Sequence, residues 1–110
     1  MKISTFTAPH LAYEQAKKLQ QQLLADGVPV QQMYLYGSFA RETATPQRDI
    51  DVLVVVPFPK EKPWELESKV WKMATEIDAR METVCLSPEQ FDERLSTLTR
   101  EVKHYGIPVR

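Results

Sequence analysis

Cysteine is nearly missing from this chain: Cys85 is the only one among 110 residues, so no intramolecular disulfide can form. A protein without disulfides fits a reducing compartment. Cys85 lies in an apolar run, and a free cysteine in that setting usually packs as a small hydrophobic side chain. We therefore predict a buried thiol at this position and not a nucleophile.

Long hydrophobic runs and an excess of charge are missing too. No apolar segment approaches the ~20 residues of a membrane-spanning helix, and residues 1–5 lack the apolar core of a signal peptide. We therefore expect a cytoplasmic protein without a membrane partner. The net charge of −1 argues against direct nucleic-acid binding, because dedicated nucleic-acid-binding proteins usually carry a basic excess.

The chain is long enough for one hydrophobic core but too short for two, which predicts a single domain over residues 1–110. Hydrophobic residues make up 43% and charged residues 26%, as in ordinary globular proteins. The sequence shows no internal repeat, low-complexity tract or linker.

Apolar periodicity predicts helices that alternate with strands. The expected elements are a helix from near Pro9 to before Gly27, a strand at 31–36, a short helix from Ser38 to about Glu42, a loop at 43–48, a strand at 50–56, a helix at 63–77, a strand at 81–86, and a last helix from Ser87 with the stripe Phe91, Leu95, Leu98 and Val102. This order predicts the α/β (α+β) class, with helices packed against a small mixed β-sheet that is at least partly parallel.

The most informative motif joins the first two predicted strands. Gly37 and Ser38 follow the first strand, and Asp49 and Asp51 open the second after a ten-residue gap. Side chains two apart on a strand share a face, so both carboxylates could bind Mg²⁺, which takes one or two carboxylates together with phosphate and water. A glycine lets the backbone approach phosphate, and Ser38 could either donate to a phosphate oxygen or cap the short helix.

A third carboxylate on a neighbouring strand would complete a two-metal site. Glu82, at the start of the third strand, is the first candidate, as a metal ligand or as the base, and Asp78 is the alternative. Arg41 could face a phosphate or pair with Asp49. Trp64 and Trp71, seven residues apart on one helix, could anchor an interface or pack over the sheet edge.

The segment from Leu35 to Val56 resembles the signature of the minimal nucleotidyltransferase family, within the DNA polymerase beta-like superfamily. The resemblance implies Asp49 and Asp51 as ligands of two Mg²⁺ ions, and Gly37 and Ser38 as the turn that contacts the triphosphate of ATP. It also implies Glu82 as the third acid, although the family more often has Asp there. Arg41 would assist in binding the nucleotide.

Small members of this family are similar to antitoxins that pair with a HEPN-domain toxin and transfer AMP from ATP to a toxin tyrosine. The chain departs from the family pattern at Glu42, where Gly is usual, and at Arg48, where Ser often precedes the first Asp. Two alternative functions stay open. One is a module that blocks its partner sterically, and the other is a nucleotidyltransferase acting on a small molecule such as an antibiotic.

Overall fold

The structure is a computed structural model, and it describes residues 8–37, 49–93 and 96–110. Four helices and four strands lie within these ranges. In chain order they are α1 (Ala8–Ala25), β1 (Gln32–Tyr36), β2 (Ile50–Val55), α2 (Pro63–Ile77), β3 (Met81–Leu86), α3 (Pro88–Glu93), α4 (Thr97–Tyr105) and β4 (Ile107–Pro108).

The strands form one mixed sheet in the order β3-β2-β1-β4. β1 pairs with β2 and with β4 in antiparallel orientation, while β2 and β3 are parallel. Parallel pairing needs a crossover connection, and α2 provides it. The predicted α/β class with a small mixed sheet is therefore confirmed.

β2 lies inside the sheet and is buried on both faces, as its apolar, β-branched sequence predicts. On one face Ile50, Val52 and Val54 pack in a core with buried residues of α1 and α2. On the other face Leu53 and Val55 pack in a second core with buried residues of α3 and α4. The sheet thus has a helical layer on each side, which leaves the start of β2 as the place where polar groups reach solvent.

The first long helix and α2 agree with the prediction, but the single last helix is wrong. Ser96 has an extended backbone, and its side chain accepts a hydrogen bond from the backbone N–H of Thr99, so it caps a new helix, α4, after α3. Leu95 of the predicted stripe lies outside the described residues. The predicted start of a helix at Ser87 is confirmed by a capping box, since Ser87 N–H donates to Gln90 Oε1 at 2.9 Å and Gln90 N–H donates to Ser87 Oγ at 3.1 Å.

Two further differences concern short elements. β4 was not predicted, because two residues are too few for a periodic pattern. The predicted helix from Ser38 to Glu42 and the loop at 43–48 lie outside the described residues. Within the described ranges, no helix combines the length and the apolar character needed to cross a bilayer.

A carboxylate at the turn between α2 and β3 fixes the approach to the two parallel strands. Asp78 accepts hydrogen bonds from Arg80 N–H at 2.9 Å, Arg80 Nη2 at 2.9 Å and Gln15 Nε2 of α1 at 3.2 Å. The carbonyl of Arg80 in turn accepts from Ile50 N–H at 2.8 Å, at the first residue of β2. The Asp78 side chain therefore connects α1 to the point where β2 and β3 begin to pair.

The first prediction concerns this carboxylate. Asp78→Asn should lower the free energy of unfolding by about 1–2 kcal/mol at pH 7, because charge-assisted hydrogen bonds are lost. Hydrogen bonds from Arg80 lower the pKa of Asp78 from 3.8 to about 2. The stabilisation is therefore present above about pH 4 and disappears as the pH falls through 2.

Urea unfolding at pH 7 and at pH 2 measures this difference. Asp92→Asn, at an exposed position of α3, is the matched control and should change little at either pH. An Asp78→Asn protein as stable as the Asp92→Asn protein at pH 7 would contradict the assignment.

Candidate functional site

Three carboxylates lie near the start of β2 and β3. In the parallel register Asp51 lies opposite Glu82, so both side chains emerge on one face of the sheet. This is the face of Leu53 and Val84, which pack towards α3 and α4. Asp49 precedes Asp51 by two residues, and it is the main cause of the raised pKa of Glu82. The predicted acidic residues of the two strands are thus brought together.

The proximity of these acids changes their protonation. Partial burial, with the charges of Asp49 and Glu101, raises the pKa of Asp51 from 3.8 to about 6. The hydrogen bond to Asp49, followed by the charges of Asp49 and Asp51, raises the pKa of Glu82. Two adjacent negative charges repel each other, which disfavours the charged form of a carboxylate beside other acids. A bound cation would reduce the repulsion between these carboxylates.

The donor set fits a hard divalent cation that also binds phosphate. Within the described ranges, no three His, Cys, Asp or Glu side chains converge closely enough to hold a metal ion by themselves. Mg²⁺ does not require such a closed cluster, because it usually takes one or two carboxylates and fills its remaining positions with substrate phosphates and water. Carboxylate oxygens on the adjacent strands β2 and β3 match that partial coordination. The raised pKa of Asp51, caused by burial and by its acidic neighbours, is consistent with it.

Gly37 is required by the acidic site itself. Its φ of +74° is favourable only for glycine, and a Cβ at this position would collide with Oδ2 of Asp51. The backbone after β1 therefore lies directly against the carboxylate. The predicted role of Gly37, a close approach of the main chain, is consistent with this geometry, while its contact with phosphate stays a prediction.

Two residues near the acids were not among the sequence predictions. Tyr36 lies opposite Asp51 in the antiparallel register, and burial together with the charges of Asp51, Glu101 and Glu82 raises its pKa to about 12. Glu101 of α4 also raises the pKa of Asp51. Tyr36 could have been found from the strand alternation next to Gly37. Glu101 could not, because only the packing of α4 brings it to this face.

Of the remaining predicted site residues, the structure describes only Asp78. Ser38 and Arg41 lie outside the described residues, as do the departures at Glu42 and Arg48. The side chain of Asp78, the alternative third acid, accepts hydrogen bonds from Arg80 and Gln15.

Outside the acidic site, the predicted burial of the lone cysteine is confirmed. The Cys85 thiol is 5% exposed, and burial raises its pKa to about 12. Both tryptophans are exposed, Trp64 at 61% and Trp71 at 56%.

An open cavity of about 590 Å³ is lined by residues of α4. Glu101 is one of its lining residues, and the basic side chains Arg100 and Lys103 are two others. The His104 and Tyr105 rings also line it and contact each other edge to face, with centroids 4.5 Å apart. This surface of α4 therefore combines basic and aromatic side chains with Glu101, whose charge also acts on Asp51.

Comparisons with known proteins agree with this geometry. The family described as "Nucleotidyltransferase domain" matches residues 14–107. A search of curated protein sequences found no match. Among solved structures, a candidate nucleotidyltransferase from Sulfolobus solfataricus superposes with a TM-score of 0.64 at 16% identity, covering 98% of this chain and 87% of that one. This likeness concerns the fold.

A second solved structure is a toxin–antitoxin with AMP-PNP. It superposes with a TM-score of 0.57 at 25% identity, and the match covers 86% of this chain and 72% of that chain. The family match covers most of the chain, and the superposition of both structures supports the same overall fold.

The raised pKa of Asp51 generates the second prediction. The folded-state pKa of about 6 lies above the ordinary 3.8, so the folded protein binds more protons and loses stability as the pH rises from about 4 to 6. Asp51→Asn removes this loss and should stabilise the metal-free protein at pH 8 by about 1 kcal/mol, allowing for screening of a half-buried carboxylate.

Thermal unfolding in EDTA at pH 4 and pH 8 measures the effect. The gain from Asp51→Asn should be present at pH 8 and absent at pH 4, where the native carboxyl is already protonated. Glu89→Gln, at an exposed position of α3, should show no such pH dependence. A loss of stability in Asp51→Asn at pH 8 would contradict the electrostatic account.

The third prediction separates the strain of a positive φ at Gly37 from the collision of a side chain there with Asp51. Gly27 also has a positive φ, +85°, but has open space where its Cβ would be. Gly27→Ala should therefore cost only the backbone strain, about 1–2 kcal/mol. Gly37→Ala should cost at least about 1 kcal/mol more, because the methyl group displaces the Asp51 carboxylate.

A double-mutant cycle tests the origin of the difference. In an Asp51→Ala background the extra cost of Gly37→Ala should disappear, as measured by urea unfolding. An extra cost that persists without the Asp51 side chain would exclude the collision as its cause.

Proposed function

Because the chain belongs to the nucleotidyltransferase domain family, we propose that it is a Mg²⁺-dependent enzyme that transfers AMP from ATP to a tyrosine hydroxyl of a partner protein. The observation that carries this proposal is the set of carboxylates aligned across β2 and β3. Family members generally use a nucleoside triphosphate and a divalent metal.

In this proposal Asp49 and Asp51 hold the cations, two in number, and Glu82 completes the second position or accepts the proton of the acceptor hydroxyl. The cations would supply charge neutralisation on the triphosphate and a lowered pKa of the attacking hydroxyl. The strand register that sets Glu82 opposite Asp51, and the raised pKa of Glu82 that Asp49 mainly causes, support this assignment.

The chain's other residues would seat the nucleotide. The backbone at Gly37 lies against the Asp51 carboxylate, so a phosphate bridged to that carboxylate would also be near the main chain. Ser38 and Arg41 would contact the β- and γ-phosphates. The acceptor oxygen would then form a bond to the α-phosphorus while the bond to pyrophosphate breaks, and its proton would pass to Glu82. Positioning and charge stabilisation would provide most of the acceleration.

We infer a protein acceptor from the likeness to the toxin–antitoxin structure with AMP-PNP. The partner would be a HEPN-domain toxin, and this chain would be the antitoxin that silences it in the cytoplasm. Residues 1–110 would act as one domain, and the acceptor would dock on the face of the sheet that carries the acids.

The same likeness favours one other function, a module that blocks its partner sterically without transferring a nucleotide. The two functions differ in what they require of the acids. A steric blocker has no need for carboxylates in register, and the repulsion at Asp51 would then destabilise the protein without any benefit. The acidic site therefore favours transfer.

The fourth prediction tests transfer directly. The protein is incubated with Mg²⁺, ATP and the protein encoded beside its gene, and the intact masses of both chains are measured. We expect one or more AMP additions on the partner. Asp51→Asn should abolish them, because a ligand of the cations is lost, and Glu82→Gln should slow the reaction more than it weakens ATP binding.

Glu89→Gln, an exposed acid on α3, is the control and should transfer AMP at the normal rate. An inhibited partner in a stable complex without added mass would favour steric blocking. Full transfer by Asp51→Asn would refute the assigned ligands. If Glu82→Gln weakened ATP binding alone, Glu82 would be a ligand and not the base.

A further inference from the structure

β3 forms one edge of the sheet. It pairs with β2 along residues 81–86, and within the described parts of the chain no strand lies on its other side. An edge strand presents a row of backbone donors and acceptors to solvent, and these can pair with another chain. This edge is therefore a surface on which a further strand could add.

The hydrogen bonds to β2 show which backbone groups face outward. Ile50 N–H donates to the Arg80 carbonyl at 2.8 Å, and Val56 N–H donates to the Leu86 carbonyl at 2.9 Å. Backbone groups alternate between the two sides of a strand, so residues 80, 82, 84 and 86 face β2. The N–H and carbonyl groups of Thr83 and Cys85 must then point away from the sheet.

The edge lacks the usual protection against such pairing. Natural edge strands are commonly guarded by lysine, proline or a bulge. β3 contains none of these residues, and Glu82 is its single charged side chain. The strand pairs with β2 in unbroken register over its whole length, so no bulge interrupts it.

An aromatic surface lies next to this edge. Trp64 and Trp71 lie on one side of α2, since seven residues make nearly two full turns, and both are more than half exposed. Between α2 and β3 is a cavity of about 290 Å³, lined by Trp71, Glu67 and Ser68 of the helix and by Thr83 and Cys85 of the strand. Thr83 and Cys85, the residues whose backbone groups point outward, therefore also line a cavity that could receive a side chain.

We propose that the outer edge of β3 binds an extended segment of a partner protein, which adds to the sheet as a further strand and inserts a side chain into the Trp71 cavity. Such strand addition obtains affinity from main-chain hydrogen bonds and specificity from pockets for alternate side chains. The role of this contact rests on the proposed function. A segment bound along β3 would lie beside Glu82, and an acceptor hydroxyl on that segment would then be close to the acids.

The acidic side chains near the β3 edge indicate which kind of segment would bind there. Glu67 lines the cavity and Glu82 projects from the edge strand itself, so a segment with a basic residue is favoured. A second copy of this chain would place its own Glu67 and Glu82 along the same edge, where like charges repel. The occupant is therefore a basic, extended segment of another protein, and not a second copy.

The test uses a phage-displayed library of random peptides of about nine residues, without nucleotide or metal. Binding is thereby measured independently of transfer, so its failure and the failure of the proposed function are distinguishable. The native protein should enrich extended sequences that carry Lys or Arg. Thr83→Pro should reduce their recovery at least about tenfold, because it removes an outward N–H while leaving the bonds to β2.

Thr83→Val is the matched control, since it keeps the N–H and the size of the side chain and should bind normally. Trp71→Ala gives a second reading if Thr83→Pro does not fold, and should also reduce recovery. Glu67→Lys should shift the enriched sequences from basic to acidic residues. Equal recovery by the native protein and by both Thr83→Pro and Trp71→Ala, the absence of any enriched sequence, or a dimer that Trp71→Ala dissociates would overturn the proposal.

Discussion

The parallel pairing of β2 with β3 is the constraint on which the rest of the site depends. Its register sets Asp51 opposite Glu82, and one residue of slippage would turn one of these carboxylates towards the opposite face. The hydrogen bonds that Asp78 accepts at the start of this pairing, and the burial of β2 on both faces, keep the register fixed. The packing of the two cores thus holds the carboxylates in alignment at the start of β2 and β3.

The acids themselves oppose folding. Partial burial, followed by the charges of Asp49 and of Glu101 from α4, raises the pKa of Asp51 to about 6. A protein selected for stability alone would place neutral residues here. The surrounding structure instead holds the carboxylates together, and Gly37 even lets the main chain approach Asp51. This arrangement is what a cation-binding site requires before the cation arrives.

Much of the architecture could be predicted because its signals are local. The bounds of α2 and β3 follow from apolar periodicity between turn residues, and the capping box of α3 from Ser87 and Gln90 alone. The division of the last helix was missed because the stripe continues across the break. Ser96 decides it by capping α4, a choice that depends on backbone geometry and not on apolar spacing.

The sequence by itself determined the mixed α/β class, the buried central strand and the presence of an Asp-x-Asp pair after a glycine turn, since each is encoded in neighbouring residues. Only the tertiary structure decided which acids meet. Glu82 lies opposite Asp51 through strand pairing, Asp78 accepts a hydrogen bond from Gln15 of α1, and Glu101 reaches Asp51 through the packing of α4. These relations join residues far apart in the chain, so the distances between them are set by the packing of strands and helices and cannot be derived from local sequence.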